Sequence, residues 1–245
     1  MVDLHAHLLP GVDDGATDID EAIAMCRRAA ADGITAAVVT PHQRHEQWPN
    51  TDRDALRAGF ETLRRAAPAG LGLALGAEIA VDSELVDEVE SLPGGNLLPL
   101  AGSRYLLLEL PVQPGGPEPR AVVHELVVAG WRPIVAHPER IPWLAGEPDL
   151  LTSLVERGAL LQLTAMAVTG EFGGRARECC AYLLDADLAH FVASDAHDAV
   201  RRPPVLSEAF RAIAGGWGEE RARRLMEDNP QAVLADRAIR GSAAG

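Results

Sequence analysis

Two histidines separated by one residue follow an apolar, strand-like run at the start of the chain. They are His5 and His7, within the segment 2–8. Side chains at i and i+2 of a strand lie on the same face, so both imidazoles could bind one divalent cation. Asp13 and Asp14 follow closely and add carboxylate oxygens. A lone His-x-His is equally compatible with a pair of surface histidines, so the rest of the sequence has to decide.

Similar residues end most of the strand-like runs. These runs lie near 2–8, 34–41, 71–79, 104–111, 131–137, 159–164 and 189–195. Six of the seven end in candidate metal ligands, which are His5, His7, His42, Glu78, Glu109, His137, Asp195 and His197, with Asp13 or Asp14 close to the first pair. Charged groups that converge at one end of a parallel barrel would be costly without cations. The mixed nitrogen and oxygen donors favour two or three Mn²⁺, Zn²⁺ or Fe²⁺ ions over a structural zinc site.

Arginines next to these ligands indicate the class of substrate. Arg140 and Arg202 follow two of the candidate ligands by three and five residues. Each alone is equally compatible with a surface salt bridge, but together they could bind the non-bridging oxygens of a phosphate. Metal ions beside such arginines favour phosphoester hydrolysis, in which hydroxide from a metal-activated water attacks phosphorus in line. Arg44 and His45, in the loop after the second run, are weaker candidates for substrate contact.

The elements that must position these residues alternate between strand and helix. Helix-like segments lie at 22–31, 52–67, 119–130, 147–158, 175–184, 203–214 and 218–236. This alternation predicts parallel strands, in either an open doubly wound sheet or a closed barrel. No Gly-x-Gly-x-x-Gly follows the first run, which removes the main support for a dinucleotide-binding sheet. We predict one domain over 1–236, followed by a frayed tail at 237–245.

Composition excludes several functions. The 245 residues carry a formal net charge of −14, and all 22 basic residues are arginine. The acidic balance disfavours nucleic acid as a partner, and the lack of lysine excludes Schiff-base catalysis. None of the three cysteines precedes an arginine at the spacing of a cysteine-phosphatase loop. No apolar run is long enough for membrane insertion and no signal peptide is evident, so we expect a cytoplasmic protein.

The motifs resemble the PHP superfamily (polymerase and histidinol phosphatase), and within it the bacterial capsular-polysaccharide-type protein-tyrosine phosphatases. The resemblance runs in family order from residue 2 to about 236. It is carried by His5-x-His7, Val12-Asp13-Asp14-Gly15, Gly76-Ala77-Glu78, Arg104-Tyr105 with Glu109, Ala136-His137-x-Glu139-Arg140 and Ser194-Asp195-x-His197. It implies a distorted (β/α)7 barrel, and three divalent ions that are usually Mn²⁺, with Zn²⁺ or Fe²⁺ also acceptable.

The resemblance also implies how the ligands are shared among the ions. His5, His7, Asp195 and Glu109 would hold the first ion, Glu78, Glu109 and His137 the second, and Asp14, His42 and His197 the third. Arg140 and Arg202 match the family's phosphate-binding arginines. Pro138 and the Pro/Gly-rich loop 111–118 depart from the family pattern. These departures bear on which substrate shape the site accepts more than on the reaction it catalyses.

These observations lead to a functional hypothesis with one main alternative. The chain is expected to be a metal-dependent protein-tyrosine phosphatase of capsule and exopolysaccharide biosynthesis, acting on a bacterial tyrosine kinase of polysaccharide export. The alternative is a small-molecule phosphatase that uses the same metal ions, for example on histidinol phosphate. Short loops at the active end favour the peptide substrate. The acidic surface disfavours a nuclease or proofreading module, and the complete ligand set disfavours a non-catalytic regulator. The sequence does not indicate an oligomeric state.

Overall fold

The computed structural model describes residues 1–89 and 95–239. Within these ranges the strands are β1 (Val2–Ala6), β2 (Ala36–Val39), β3 (His42–Gln43), β4 (Gly72–Leu75), β5 (Glu78–Ala80), β6 (Tyr105–Glu109), β7 (Arg132–Ala136), β8 (Leu160–Thr164) and β9 (Phe191–Ala193). The α-helices are α1 (Ile19–Ala31), α2 (Arg53–Ala66), α3 (Leu85–Val89), α4 (Pro119–Val128), α5 (Pro142–Ala145), α6 (Pro148–Glu156), α7 (Ala165–Thr169), α8 (Gly174–Asp185), α9 (Ser207–Trp217), α10 (Glu219–Arg223) and α11 (Asn229–Leu234). Short 3₁₀ turns lie at Leu100–Gly102 and Pro138–Arg140, and a π-helical turn lies at Arg224–Asp228.

Every strand pairing is parallel, which confirms the predicted α/β class in a single domain. One sheet has the order β1-β2-β4, and the other has the order β3-β5-β6-β7-β8-β9. The predicted run 34–41 contains β2 and ends just before β3, which belongs to the other sheet, and the predicted run 71–79 is divided between β4 and β5, again in different sheets. Pro41 has no N–H to donate at the first break. At the second, a Cβ on Gly76 would lie 2.8 Å from the Leu100 side chain, so only glycine fits.

The first and last strands are adjacent. The backbone N–H of Asp195 donates to the carbonyl of His5, and the N–H of His7 donates to the carbonyl of Ala196, both over 2.8 Å. The buried carboxylate of Asp3 accepts hydrogen bonds from the backbone N–H and the hydroxyl of Ser194 at 3.0 and 2.5 Å. These contacts hold the end of β9 against β1 and bring the two histidines of the N-terminal motif to the residues after β9.

The strands are buried on both faces. Tyr105 and Leu107 of β6 belong to one hydrophobic cluster, whereas Leu106 and Leu108 belong to a second, larger one that includes the helices. Strands covered on both sides need apolar residues at every position. This explains why the sequence shows continuous apolar runs instead of alternation.

Helix ends follow the sequence signals closely. Asp18 caps α1 by accepting a hydrogen bond from the backbone N–H of Glu21, while the Glu21 carboxylate returns to Thr17, one residue before the cap. The segment predicted as one helix at 218–236 contains α10, the π turn and α11. Helices α3, α5 and α7 were not predicted.

The C-terminal segment continues to make contacts beyond α11. The Tyr105 hydroxyl donates to the carbonyl of Arg237, and Ile239 is buried. Positions 240–245 of the predicted frayed tail lie outside the described residues. Over 1–89 and 95–239, no helix is both long enough and apolar enough to cross a membrane.

Candidate metal centre

All nine predicted metal ligands lie together, most of them at or just after the carboxyl end of a strand, whereas His42 and Glu78 are the first residues of β3 and β5. The donor atoms of the nine ligands form four overlapping groups, and within each group the donor atoms lie within 4.8 Å of one another. The groups are His7, Asp14, His42 and His197; His5, His137 and Asp195; His5, His7 and Glu78; and His42, Glu78 and Glu109.

His5 and His7 face each other across a short gap. Their Nε2 atoms are 3.1 Å apart, while Nδ1 of His5 lies 2.9 Å from Gln162 Oε1 and Nδ1 of His7 lies 2.9 Å from Asp13 Oδ2. Since these oxygens are acceptors, both Nδ1 atoms carry the hydrogen and both Nε2 atoms present a lone pair. Two converging lone pairs repel each other unless a cation lies between them, so the arrangement fits a divalent metal.

Glu78 is the central carboxylate of the cluster. Its Oε1 lies 2.7 Å from His137 Nε2, and its Oε2 lies 3.3 Å from His5 Nε2 and 3.2 Å from His42 Nδ1. Burial alone would raise the pKa of Glu78, but His5 and His137 hold it well below its usual value. The carboxylate is therefore ionised, and its two oxygens face different imidazoles, as a ligand shared by two ions must.

Asp195 connects the histidines to the two arginines. One oxygen lies 3.5 Å from His5 Nε2, and the other accepts hydrogen bonds from Arg140 and from Arg202, the latter at 2.7 Å. Burial would raise the pKa of Asp195, but its contacts with His5, His137 and the two arginines hold that pKa below its usual value. Asp195 and His137 have left-handed backbone φ values of 51° and 32°. Such strain is typical of residues held in place for a function.

The contacts of Asp13 and Asp14 differ, and they favour Asp14 as the metal ligand. Asp14 Oδ1 lies 3.5 Å from His42 Nε2 and 3.3 Å from His197 Nε2, in the position of a shared ligand. The buried Asp13 side chain instead accepts hydrogen bonds from His7 Nδ1 and the backbone N–H of His42. Asp13 therefore orients a ligand and does not itself face the cluster.

The donor set fits divalent metals, although the grouping differs from the one that the resemblance implies. Nδ1 of His42 and Nδ1 of His137 are buried without a hydrogen bond, and Nδ1 of His42 lies 3.2 Å from the Glu78 carboxylate, as the donor atoms of a shared metal site would. Asp14, His42 and His197, which the resemblance assigns to one ion, form a group that also includes His7. Glu109, however, groups with His42 and Glu78, and His137 groups with His5 and Asp195. The sequence motifs could not give this distribution, because it depends on side-chain rotamers.

A cleft of about 280 Å³ opens over these ligands. Besides the outward-facing ligands it is lined by His45, Trp48, Val112, Arg140, Ile141 and Arg202. Arg140 also lies over the ring of Phe172, 4.5 Å from its centroid, a cation–π contact that limits its freedom. The two arginines thus lie beside the ligands, where a phosphate could be bound.

Arg44 is the one predicted contact that the structure places elsewhere. It does not line the cleft, and its guanidinium pairs with Asp82 and Glu88 near α3. Its neighbour in sequence, His45, does line the cleft. The loop therefore directs these two adjacent side chains to different surroundings.

Two residues of the site were missed from the sequence. Gln162 lies on β8, the strand without a metal ligand, and binds His5. A lone amide within the apolar run Leu-Leu-Gln-Leu-Thr was the available signal, because a fully buried amide needs a partner. Trp48 gave no signal beyond its position in the loop after His42.

Comparisons with known proteins agree with this geometry. The family described as "Capsular polysaccharide synthesis, CpsB/CapC" matches residues 1–235. The putative tyrosine-protein phosphatase CapC of Staphylococcus aureus is 36% identical over 213 residues, 86% of this chain and 82% of that protein. The tyrosine-protein phosphatase YwqE of Bacillus subtilis (strain 168) is 32% identical over 241 residues, 98% of this chain and 93% of that protein.

A solved structure shows the same likeness. It comes from a pair, YwqE from Bacillus subtilis and CpsB from Streptococcus pneumoniae, described as "unique metal-dependent tyrosine phosphatases". The TM-score is 0.82 at 31% sequence identity, with 98% of this chain and 96% of that chain covered.

Proposed function

The chain belongs to the CpsB/CapC family of capsular polysaccharide synthesis, and we propose that it is a metal-dependent phosphatase that hydrolyses phosphotyrosine in proteins. The proposal is carried by the position of Asp195. One oxygen of its carboxylate faces His5, and the other binds Arg140 and Arg202. A phosphate ester in the cleft would meet metal ligands and guanidinium groups together.

The chemistry is divided between the ions and the chain. Bound divalent ions would lower the pKa of a water molecule and stabilise negative charge on phosphorus oxygens. The nine ligands would hold these ions, and Asp195 positions Arg140 and Arg202 by accepting their N–H groups. The Arg202 side chain lines the cleft and is 24% exposed, so part of its guanidinium can reach a phosphate oxygen. Arginine contacts of this kind stabilise the charge that develops during phosphoryl transfer.

Cysteine chemistry is a poor alternative for this chain. Cys26, Cys179 and Cys180 are all buried. Burial raises the pKa of Cys26 to about 11 and that of Cys179 to about 12, so the thiols stay protonated at neutral pH. Since the thiolate is the nucleophile in cysteine phosphatases, the metal ligands are the better candidates for activating the attack.

Finer parts of the proposal concern the ions, the architecture and the substrate. We propose three ions, Mn²⁺ first, because nine nitrogen and oxygen ligands exceed what one ion takes. The hydrogen bonds between β1 and the end of β9 support a closed, distorted (β/α)7 barrel made of seven strand units. The family's link to capsular polysaccharide synthesis supports a tyrosine kinase of polysaccharide export as the phosphoprotein.

The test compares a phosphotyrosine peptide with histidinol phosphate, before and after chelation of the Mn²⁺-loaded protein. We expect chelator-sensitive turnover that favours the peptide. His137→Ala should lose activity and metal together, whereas Arg140→Ala should lose activity and keep its metal. Preference for histidinol phosphate would replace the protein substrate by a metabolite, and activity that survives chelation would overturn the proposal altogether.

A further inference from the structure

Three rings form one side of the cleft, and we call His42, His45 and Trp48 the aromatic wall. Their centroids are 4.9 Å (His42 to His45), 4.7 Å (His45 to Trp48) and 5.3 Å (His42 to Trp48) apart. The indole plane lies within 10° of the His42 ring and 24° of the His45 ring. All three residues line the same cleft as the two arginines.

The aromatic wall begins at the metal ligands themselves. His42 Nε2 lies 3.5 Å from Asp14, and its Nδ1 lies 3.5 Å from Glu109, so one ring belongs to both the ligand cluster and the wall. Any phosphate ester whose phosphate sits at the cluster must direct its organic group into the remaining cleft. The wall occupies one side of that space.

Two apolar side chains also line the cleft, beside the charged ligands and arginines. They are Val112 and Ile141, and Val112 is 56% exposed. Aromatic rings prefer offset, nearly parallel packing at centroid distances of about 4.5–7 Å, and an indole offers a large rigid face for such packing. An aliphatic or hydroxylated group would not gain this contact.

From this geometry we infer that the aromatic wall binds the ring of an aryl phosphate, and that Trp48 determines the preference for aryl over alkyl phosphates. The inference rests on the proposed phosphatase function and adds a specificity residue to it. Trp48 packs against the substrate and takes no part in the chemical step. The wall gives the phosphotyrosine ring a place that a serine or threonine phosphate would leave unfilled.

The experiment measures binding by calorimetry on the full-length, Mn²⁺-loaded protein. The probes are phenylphosphonate and methylphosphonate, which carry the same head group and cannot be hydrolysed as esters. We expect the unsubstituted protein to prefer phenylphosphonate, and Trp48→Leu to weaken that ligand about two- to tenfold while leaving methylphosphonate unchanged. Trp48→Phe should retain most of the preference, because it keeps a ring.

Trp217→Leu is the matched control. Trp217 is also half-buried, but its indole N–H donates to Asp185 between α8 and α9, and it does not line the cleft. It should leave both affinities unchanged. His45→Leu serves as a second variant should Trp48→Leu fold poorly, and should lower the phenyl preference in the same direction.

The outcomes separate this inference from the proposed function. No phenyl preference in the unsubstituted protein, or an equal loss for both probes in Trp48→Leu, would overturn the inference even if phosphotyrosine is hydrolysed. A preference that depends on Trp48 in a protein that fails to hydrolyse phosphotyrosine would sustain the inference and overturn the function.

Discussion

Asp13 accepts three hydrogen bonds that an asparagine in its place could not all accept. Its Oδ2 receives the His7 Nδ1 hydrogen at 2.9 Å and the His42 backbone N–H at 3.1 Å, and its Oδ1 receives the Gly15 backbone N–H at 3.0 Å. In Asp13→Asn one oxygen becomes an NH₂ group, which must face a donor in either orientation. If it faces His7, the ring must accept at Nδ1 and carry its hydrogen on Nε2, where it can no longer bind a metal.

The magnitude follows from this loss. One buried donor left unpaired costs about 1–3 kcal/mol. At about 1.4 kcal/mol per factor of ten, this is roughly a 5- to 150-fold change in affinity if the cost falls on the metal-bound state. Substitution of residues that orient metal-binding histidines typically costs about 10- to 100-fold. We therefore expect Asp13→Asn to weaken metal binding about 10- to 100-fold.

Metal content measured after dialysis against a series of free Mn²⁺ concentrations gives this affinity directly. Asp20→Asn is the control, because it removes the same charge from an exposed position in the first turn of α1. Unchanged affinity in Asp13→Asn would refute the orienting role. An equal loss in Asp20→Asn would show that only net charge matters.

Three further outcomes are expected. Gly15→Ala should lower metal content and Tm, since its Cβ would lie 2.2 Å from the His7 carbonyl oxygen, whereas Gly216→Ala, with nothing within 4 Å, should lower neither. Iodoacetamide should leave the native enzyme's activity intact while a chelator removes it; inactivation that follows alkylation would contradict the buried, protonated thiols. In the chelated protein, burial lowers the pKa of His137, but the Glu78 carboxylate outweighs burial and raises that pKa from 6.5 to about 9. The stability contributed by the protonated His137 is therefore fully present below pH 6.5 and is lost as the pH rises through 9. The Tm of the chelated protein should fall across that range, and a constant Tm would refute this.

The ligand positions could be predicted because parallel strands end at a common edge. His42, Glu78 and His137 each follow an apolar run, and that rule of topology is enough to bring them together. The break within the run 71–79 could not be predicted, because it depends on Leu100, which packs against Gly76 from another part of the chain. Local periodicity contains no information about such a neighbour.

The directions and partners of individual side chains were the second feature that could not be predicted from the sequence. Arg44 and His45 share a loop, yet Arg44 pairs with Asp82, which lies 38 residues further along the chain. Gln162 was not predicted for a different reason: β8 ends without a metal ligand, so no charged strand end marks the amide that binds His5. Both contacts depend on partners distant in sequence.

The pairing of β1 with the end of β9 also affects the order in which the protein can be built. Ser194 binds Asp3 across 191 residues, and the backbone of Asp195 pairs with that of His5. During synthesis the first strand therefore leaves the ribosome long before its partner exists. Closing so long a loop costs conformational entropy that only the final contacts repay. Histidines made first and an aspartate made near the end must meet before the ligand set is complete, so the full set can form only at the last stage of folding.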